Sequence, residues 1–449
     1  MKTLSRLLLA LLFTGALLSC EPTELTEMEQ QIEQADTIKY TKEQLKEILK
    51  KERINIEEYK ASRVVDISGM EVVKSNPKKV YVHYMPWFQS KDYDGYWGQH
   101  WTMTNRNPDN MDSTGTREIA SYFYPLIGPY SSKDPDLHEY HFLLMKMAGV
   151  DGVIFDWYGS RDLYDYQLIK ESTETFMATL DDLGLGFSIM YEDRVAVQAA
   201  AAGLEPSAIV AAQNDFLYMH EKYFTKNAYL KYEGNNLLFV FGPHHLTNQE
   251  EWNEIFSVLP ANHDPDFVSL WASKNKIGQH AVGEFLWVDK DHLLAHDHYY
   301  NYYPQFNHIT VGGVYPGFKS YYSQGGWSDG VNDWELSHDN GNTFVETLNY
   351  SHHEVADLIQ LVTWNDFGEG TMIEPTKEHG FMYLQLLQQY TGVTYTGEDL
   401  FIAVDLYKAR KKYAGNQEVQ DYLDQSYRYI KQGKLKDVRL ILTAVEALY

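Results

Sequence analysis

The sequence predicts an α/β fold, a (β/α)8 barrel of the TIM type with a long aromatic-rich loop after strand 1 and a C-terminal helical extension. Three observations carry this. Short, largely apolar runs recur along the chain, as expected of strands in a parallel sheet covered on its outer face. Stretches with helical spacing separate the earlier runs. Polar, acidic and aromatic residues gather where the runs end, which is where a barrel of this kind keeps its reactive groups.

The first strand is read at Lys79-Val-Tyr-Val-His-Tyr-Met-Pro-Trp87, apolar and β-branched and stopped by Pro86. The insertion from Phe88 to Asp136 is rich in Tyr and Trp and too long for an ordinary connection, so a functional or lid-like role is expected. Leu137 to Ala148 reads as a helix stopped by Gly149. Strands follow at Gly152–Trp157, Gly186–Tyr191, Leu237–Phe241, Phe267–Trp271, Glu284–Val288 and His308–Val314, and the last begins at Leu358. Helical stretches at Tyr166–Leu183 and Ser207–Tyr223 fall between them, whereas the fifth and sixth strands leave no room for a normal helix. The barrel is therefore placed over residues 79–395, and residues 396–449, with Val438, Ile441, Leu442 and Val445 at helical intervals, form the extension.

Ahead of the barrel, Lys2 and Arg6, an apolar run from Leu7 to Leu18, and Ser19-Cys20 give the order of an export signal over residues 1–19. Leu17-Leu18-Ser19-Cys20 resembles a bacterial lipobox, which implies cleavage before Cys20, lipidation of that residue, and a place in the cell envelope. An ordinary secretory signal that contains a cysteine is the alternative. Residues 20–78 read as an acidic tether, with Glu21, Glu24, Glu27 and Glu29, and a short amphipathic helix between Thr41 and Lys60. No later segment reaches the roughly 18 apolar residues of a membrane helix, so membrane contact is expected only through the lipid anchor.

Composition narrows the function. Among 449 residues, 63 Asp and Glu outnumber 38 Lys and Arg, for a formal charge of −25, which excludes a basic footprint for nucleic acid. Aromatics make up 14% of the chain, suiting a cleft in which rings stack on sugars. The one cysteine lies in the leader, so neither a disulfide framework nor a Cys-based zinc site is available. Asp291, His292, His296, Asp297 and His298 crowd one loop without a zinc spacing, and no Gly-x-Ser-x-Gly or phosphate loop occurs. No metal and no cofactor are expected.

The strand ends supply the candidate site. Tyr84 and Trp87, Trp157 and Tyr158, Glu192, His244, Trp271, Tyr315 and Asn365 are expected to bind substrate, as rings for the CH faces of pyranoses or as acceptors for hydroxyls. Trp157 and Trp271 also fit a second role, closing the barrel, and Glu192 could pair with Arg194. After the last strand, Trp364-Asn-Asp-Phe-Gly-Glu-Gly370 places two carboxylates three residues apart. Asp366 and Glu369 are read as the acid/base pair of glycoside hydrolysis, against the alternative of a turn with solvated acids.

Tyr84-Met-Pro-Trp87, Tyr124-Pro-Leu-Ile-Gly-Pro-Tyr-Ser-Ser-Lys-Asp-Pro135, Asp156-Trp-Tyr158 and Trp364-Asn-Asp-Phe-Gly-Glu-Gly-Thr371 through Glu374-Pro375 resemble glycoside hydrolase family 99 of endo-α-mannosidases and endo-α-1,2-mannanases. They also show affinity to family 71 of α-1,3-glucanases. The resemblance implies a retaining, endo-acting, metal-independent enzyme on α-mannosides, with an α-linked oligosaccharide or polysaccharide as its partner. Asp366 would take the proton of the sugar 2-hydroxyl, Glu369 would be the general acid/base, and Tyr84, Trp157 and Glu192 would touch sugar. Family 99 usually has Asn-Glu-Trp-His-Glu-Gly where this chain has Asn365-Asp-Phe-Gly-Glu-Gly370. The first acid is thus shorter by about 1.5 Å in a geometry that tolerates about 0.5 Å. Three expectations follow: an α-mannanase-like enzyme, an inverting α-1,3-glucanase, or a glycan-binding lipoprotein without chemistry.

Overall fold

The computed structural model describes residues 40–62, 69–260, 264–327, 330–352 and 355–449. Eight parallel strands follow one another around a ring: β1 (Lys79–Tyr84), β2 (Gly152–Trp157), β3 (Gly186–Tyr191), β4 (Asn235–Val240), β5 (Asp266–Leu270), β6 (Ala281–Phe285), β7 (Ile309–Val314) and β8 (Leu358–Leu361). The ring closes where β8 meets β1, with Val80 opposite Ile359. Seven strands lie within a few residues of the apolar runs that predict them, and the sixth is corrected: it is Ala281–Phe285, three residues ahead of the predicted Glu284–Val288, whose Trp287 lines the cleft beyond the strand end. Strand parity then sorts the side chains: Tyr81, Ile154, Met190, Phe239, Val268 and Phe285 fill the barrel, while Val80, Val82, Val153, Phe155 and Ile189 pack outward against helices.

Twelve longer helices are described: α1 (Lys42–Ser62), α2 (Pro135–Met147), α3 (Tyr166–Leu183), α4 (Arg194–Ala201), α5 (Ala208–Lys222), α6 (Gln249–Phe256), α7 (His292–Tyr302), α8 (Asn342–Ser351), α9 (Met382–Thr391), α10 (Gly397–Lys412), α11 (Gln417–Lys431) and α12 (Leu435–Leu448). Their starts are written locally. Pro135 opens α2 behind Asp134, whose side chain accepts the Asp136 N–H, and Ser207 accepts the Val210 N–H to start α5. Between β5 and β6 only the four-residue helix Lys274–Ile277 and a 3-10 turn fit, as the spacing predicts.

The ends of the chain join. Leu45, Leu49 and Ile56 bury one face of α1, which packs on α11 and α12, so this helix belongs to the C-terminal helical layer. Residues 69–78, which the sequence reading leaves with the tether, are stitched to the barrel instead. Gly69 N–H donates to Asp182 O (2.9 Å), Ser75 N–H to Gly392 O (3.2 Å), and Lys74 Nζ meets Asp151 Oδ2 (2.5 Å). Cys20 and the acidic tether through Gln34 lie outside the described residues. Among the described residues no helix is long and apolar enough to cross a membrane.

The cluster from Asp291 to His298 is not a loop but the start of α7, which spreads its side chains around a helix. His296 meets His292 O (2.8 Å) and Gly313 O (2.9 Å), and His298 lies against Trp271. Among the described residues, no group of three or more His, Cys, Asp or Glu is placed to hold a metal ion.

Candidate active site

The chain leaves β8 as a narrow excursion closed at its base by backbone hydrogen bonds. Thr363 N–H donates to Thr371 O (2.9 Å), Ile373 N–H to Thr363 O (3.0 Å) and Glu374 N–H to Trp364 O (2.9 Å). Asp366 and Glu369 ride at its tip. The Asp366 N–H donates to Thr363 Oγ1 (2.8 Å), and Asp366 Oδ1 accepts the Glu369 N–H (2.9 Å). Gly370 permits the turn: its φ is +67°, and a Cβ there would lie 2.8 Å from Lys319 O. The loop after β7 is laced alongside, Lys319 N–H donating to Glu369 O and Tyr321 N–H to Gly368 O, both at 2.8 Å. This brings the Tyr322 hydroxyl to Glu369 Oε1 at 3.2 Å.

A cleft of about 460 Å³ opens beside the pair, at the carboxyl ends of the strands. Its walls include Trp87, Tyr158, Phe241, Trp287, Tyr322 and Trp327, and its polar groups include His83, Asp156, Glu192, Arg194, Asp366 and Glu369. Burial raises Asp366 to about 7. Glu369 goes up to about 8, first through burial and then through the charge of Asp366. Backbone N–H groups of Glu369 and Gly368 favour the ionised form of Asp366, whereas Glu369 receives the hydrogen bond of the Tyr322 hydroxyl. These hydrogen bonds bias charge toward Asp366 and the proton toward Glu369. That is the division a general acid and its partner base need.

Around the pair the field is acidic. Asp156 is almost wholly buried, and burial, then the neighbouring Glu192, pushes its carboxyl well up. His83 is held down to about 3 by burial, so its ring is neutral. Arg194 stays cationic, engaged by Glu192 and by the Tyr158 hydroxyl, to which Nη2 donates at 2.8 Å. A cleft with many carboxyls and one engaged guanidinium suits a neutral ligand better than an anionic one.

Of the residues the sequence singles out, Trp87, Tyr158, Glu192, Asp366 and Glu369 meet in this cleft. The Glu192–Arg194 ion pair also exists, inside the cleft wall. Tyr84 and Trp157 require correction as sugar contacts. Both are fully buried on the outward parity of β1 and β2, Tyr84 against Phe176 and Trp157 beside Tyr218 and Tyr223, while His83 and Asp156 take the inward positions. Three others lie outside the cleft lining. Trp271 packs on Tyr299 and Tyr303, and the buried Tyr315 hydroxyl lies 3.4 Å from His296 Nδ1. His244 is exposed on a loop whose N–H groups at 244, 245 and 246 all donate to Asp193.

Asn365 serves beneath the site. Its Oδ1 accepts the Met85 N–H (2.8 Å), and its Nδ2 donates to Met85 O (3.0 Å) and to the Tyr130 hydroxyl (3.2 Å). Tyr130 in turn donates to Glu374 Oε2 (2.6 Å), Glu374 Oε1 lies 3.2 Å from His141 Nε2, and the Tyr84 hydroxyl lies 2.9 Å from His141 Nδ1. This buried chain locks the exit of β1 to the excursion after β8.

The sequence reading leaves His83, His100, Trp287, Tyr322 and Trp327 out of the site, and gives Asp156 a place at a strand end but no role. Strand parity could have found His83 and given Asp156 its inward place, each one residue away from Tyr84 and Trp157. Tyr322 and Trp327 come from an aperiodic loop and carry no such signal.

The model of glycosyl hydrolase family 99 matches residues 76–397. Similar characterised proteins include the glycoprotein endo-α-1,2-mannosidase-like protein of Danio rerio, 21% identical over 68% of this chain and 73% of that protein. The glycoprotein endo-α-1,2-mannosidase of Rattus norvegicus is 22% identical over 69% of this chain and 71% of its own length. Among solved structures, a family 99 endo-α-mannosidase from Bacteroides thetaiotaomicron superposes with a TM-score of 0.53 at 19% identity, covering 67% of this chain and 89% of that one, which is a likeness of fold. With its barrel, its paired acids and a match over most of its length, this chain belongs to glycosyl hydrolase family 99.

Proposed function

We propose that this glycoside hydrolase cleaves α-mannosidic bonds within a glycan, using Glu369 as general acid/base and Asp366 as its partner base, without a metal ion. The observation that carries the reading is the pair itself: two carboxyls on one excursion, both facing the ring-walled cleft, with backbone N–H groups favouring charge on Asp366 and the proton left to Glu369. The similar vertebrate proteins, named endo-α-1,2-mannosidases, support the choice of bond. Glu369 donates its proton to the leaving glycosidic oxygen as the C–O bond breaks, while Asp366 takes a proton from the group that attacks the anomeric carbon. In the route that the family resemblance implies, that group is the sugar 2-hydroxyl. Water then attacks the anomeric carbon, the ionised Glu369 taking its proton, and the bond from that carbon to the 2-oxygen breaks as Asp366 returns its proton to that oxygen.

The experiment is hydrolysis of α-mannan and high-mannose oligosaccharides by the parent chain and by Glu369→Gln. The variant is expected to lose about 10²–10⁴-fold in turnover while still binding glycan. Equal turnover would refute the assignment. Binding by the parent without hydrolysis on any α-glycan would favour a carbohydrate-binding lipoprotein. One observation favours a second reading, an inverting α-1,3-glucanase: Asp366 stands where the family usually has Glu. The anomer released first separates the two, retention following from the 2-hydroxyl route and inversion from direct attack by water.

Export and lipid attachment at Cys20 belong to the same proposal. They rest on the leader sequence, and they would place the cleft at the cell envelope where polymeric glycan is met.

A further inference from the structure

We propose that Tyr164 is a distal sugar platform at the mouth of the cleft, taking a neutral pyranose of an extended α-linked glycan beyond the unit held at Asp366 and Glu369. This rests on the hydrolase reading above and extends it to substrate length. Tyr164 lines the cleft, yet 73% of it is exposed, and its φ is +52°. A bulky side chain adopts that left-handed conformation only at a cost that its surroundings must impose.

A lone exposed ring is ordinary. The loop beneath this one is not. At its start the buried carboxyl of Asp215 accepts Ser160 N–H and Ser160 Oγ, both at 2.9 Å, and Arg161 Nη1 at 2.8 Å. At its end Asp165 Oδ2 accepts Gln99 Nε2 (2.7 Å) and lies 3.1 Å from His100 Nε2. A segment fixed at both ends thus holds a large ring in water, where the ring adds little to the core.

That ring is also the last of a series. Tyr164 meets Tyr166 edge-on at 5.7 Å, Tyr166 meets Tyr158 at 5.4 Å, and Tyr158 lies 6.3 Å from Trp87 inside the cleft. All four rings line the cleft that also holds the acid pair, and Tyr164 is the one exposed among them, the other three being buried. Flat rings receive the CH faces of sugars, and the outermost is reached only by a chain that extends past the inner ones. The charge nearby selects the ligand class: Asp165 and Glu192 disfavour phosphorylated or uronic units, and the guanidinium of Arg194 is already engaged by Glu192.

The test uses the full chain carrying Glu369→Gln, titrated calorimetrically with linear α-mannan oligosaccharides from the disaccharide to the hexasaccharide. Affinity is expected to rise with length. Adding Tyr164→Ala should cut that gain about tenfold, or about 1.4 kcal/mol, and Tyr164→Phe should keep it. Tyr164→Asn, which tolerates the left-handed backbone, should behave as Ala does and so assign the loss to the ring. An unchanged length dependence in Tyr164→Ala would overturn the platform and leave the hydrolase reading intact. Absence of binding at every length by the Glu369→Gln chain would overturn both.

Discussion

At the scale of single residues, the chemistry turns on where one proton sits. Burial lifts Asp366 to about 7 and Glu369 to about 8, and the proposed reaction needs one proton between them, on Glu369. As pH falls below about 7 the base is protonated, and as it rises above about 8 the acid is lost, so kcat/KM should be bell-shaped with its maximum between those values. A profile flat across both limits would contradict the assignment. Stability follows from the same shifts. Both carboxyls bind protons more tightly in the folded chain than in the unfolded one, where values near 4 apply. Their contribution is therefore full below about 4 and is lost as pH rises through about 7 to 8. Glu369→Gln removes one of these titrations. Its melting temperature should exceed that of the parent by a few degrees near pH 9, and the gap should close toward pH 4.

At the scale of elements, the excursion after β8 is held by what lies under it. Asn365, Tyr130, Glu374, His141 and Tyr84 form a buried polar chain in which the Tyr130 hydroxyl serves both Glu374 and Asn365. Tyr130→Phe takes one hydrogen bond from each. The expected cost is about 1–3 kcal/mol in denaturant unfolding, the penalty of buried polar atoms left short of partners. Because the tip carries both acids, kcat should fall as well, with KM changing less, since Trp87, Tyr158 and Glu192 still line the cleft. A variant as stable and as fast as the parent would remove the chain from any part in the site. Tyr84 belongs to this chain: it is fully buried outside the barrel, meets His141, and is not part of the cleft lining.

At the scale of the whole molecule, the C-terminal helices cover α2 and receive α1, so both ends of the described chain pack into one helical layer. The leader lies outside the described residues, and its lipid attachment is tested directly. Cys20→Ser should abolish incorporation of labelled fatty acid in a bacterial host and release the chain from the membrane fraction; labelling that persists would overturn the anchor. The eight strands were legible because a strand buried on both faces must be apolar along its length, and that pattern is local. Asp366 and Glu369 were legible because they share one short segment, three residues apart. The facing of Tyr84 and Trp157 was not, because a run apolar on both faces hides its parity and a one-residue shift exchanges inside for outside. Tyr322 could not be read at all, since it reaches Glu369 only through backbone pairing between loops distant in sequence. The sequence by itself determined the order of strands, the class of chemistry and the closeness of Asp366 and Glu369 on one segment, all consequences of local pattern. Only the tertiary structure decided which side chains share the cleft and that burial lifts both carboxyls, because burial and proximity across the barrel depend on contacts that sequence spacing does not contain.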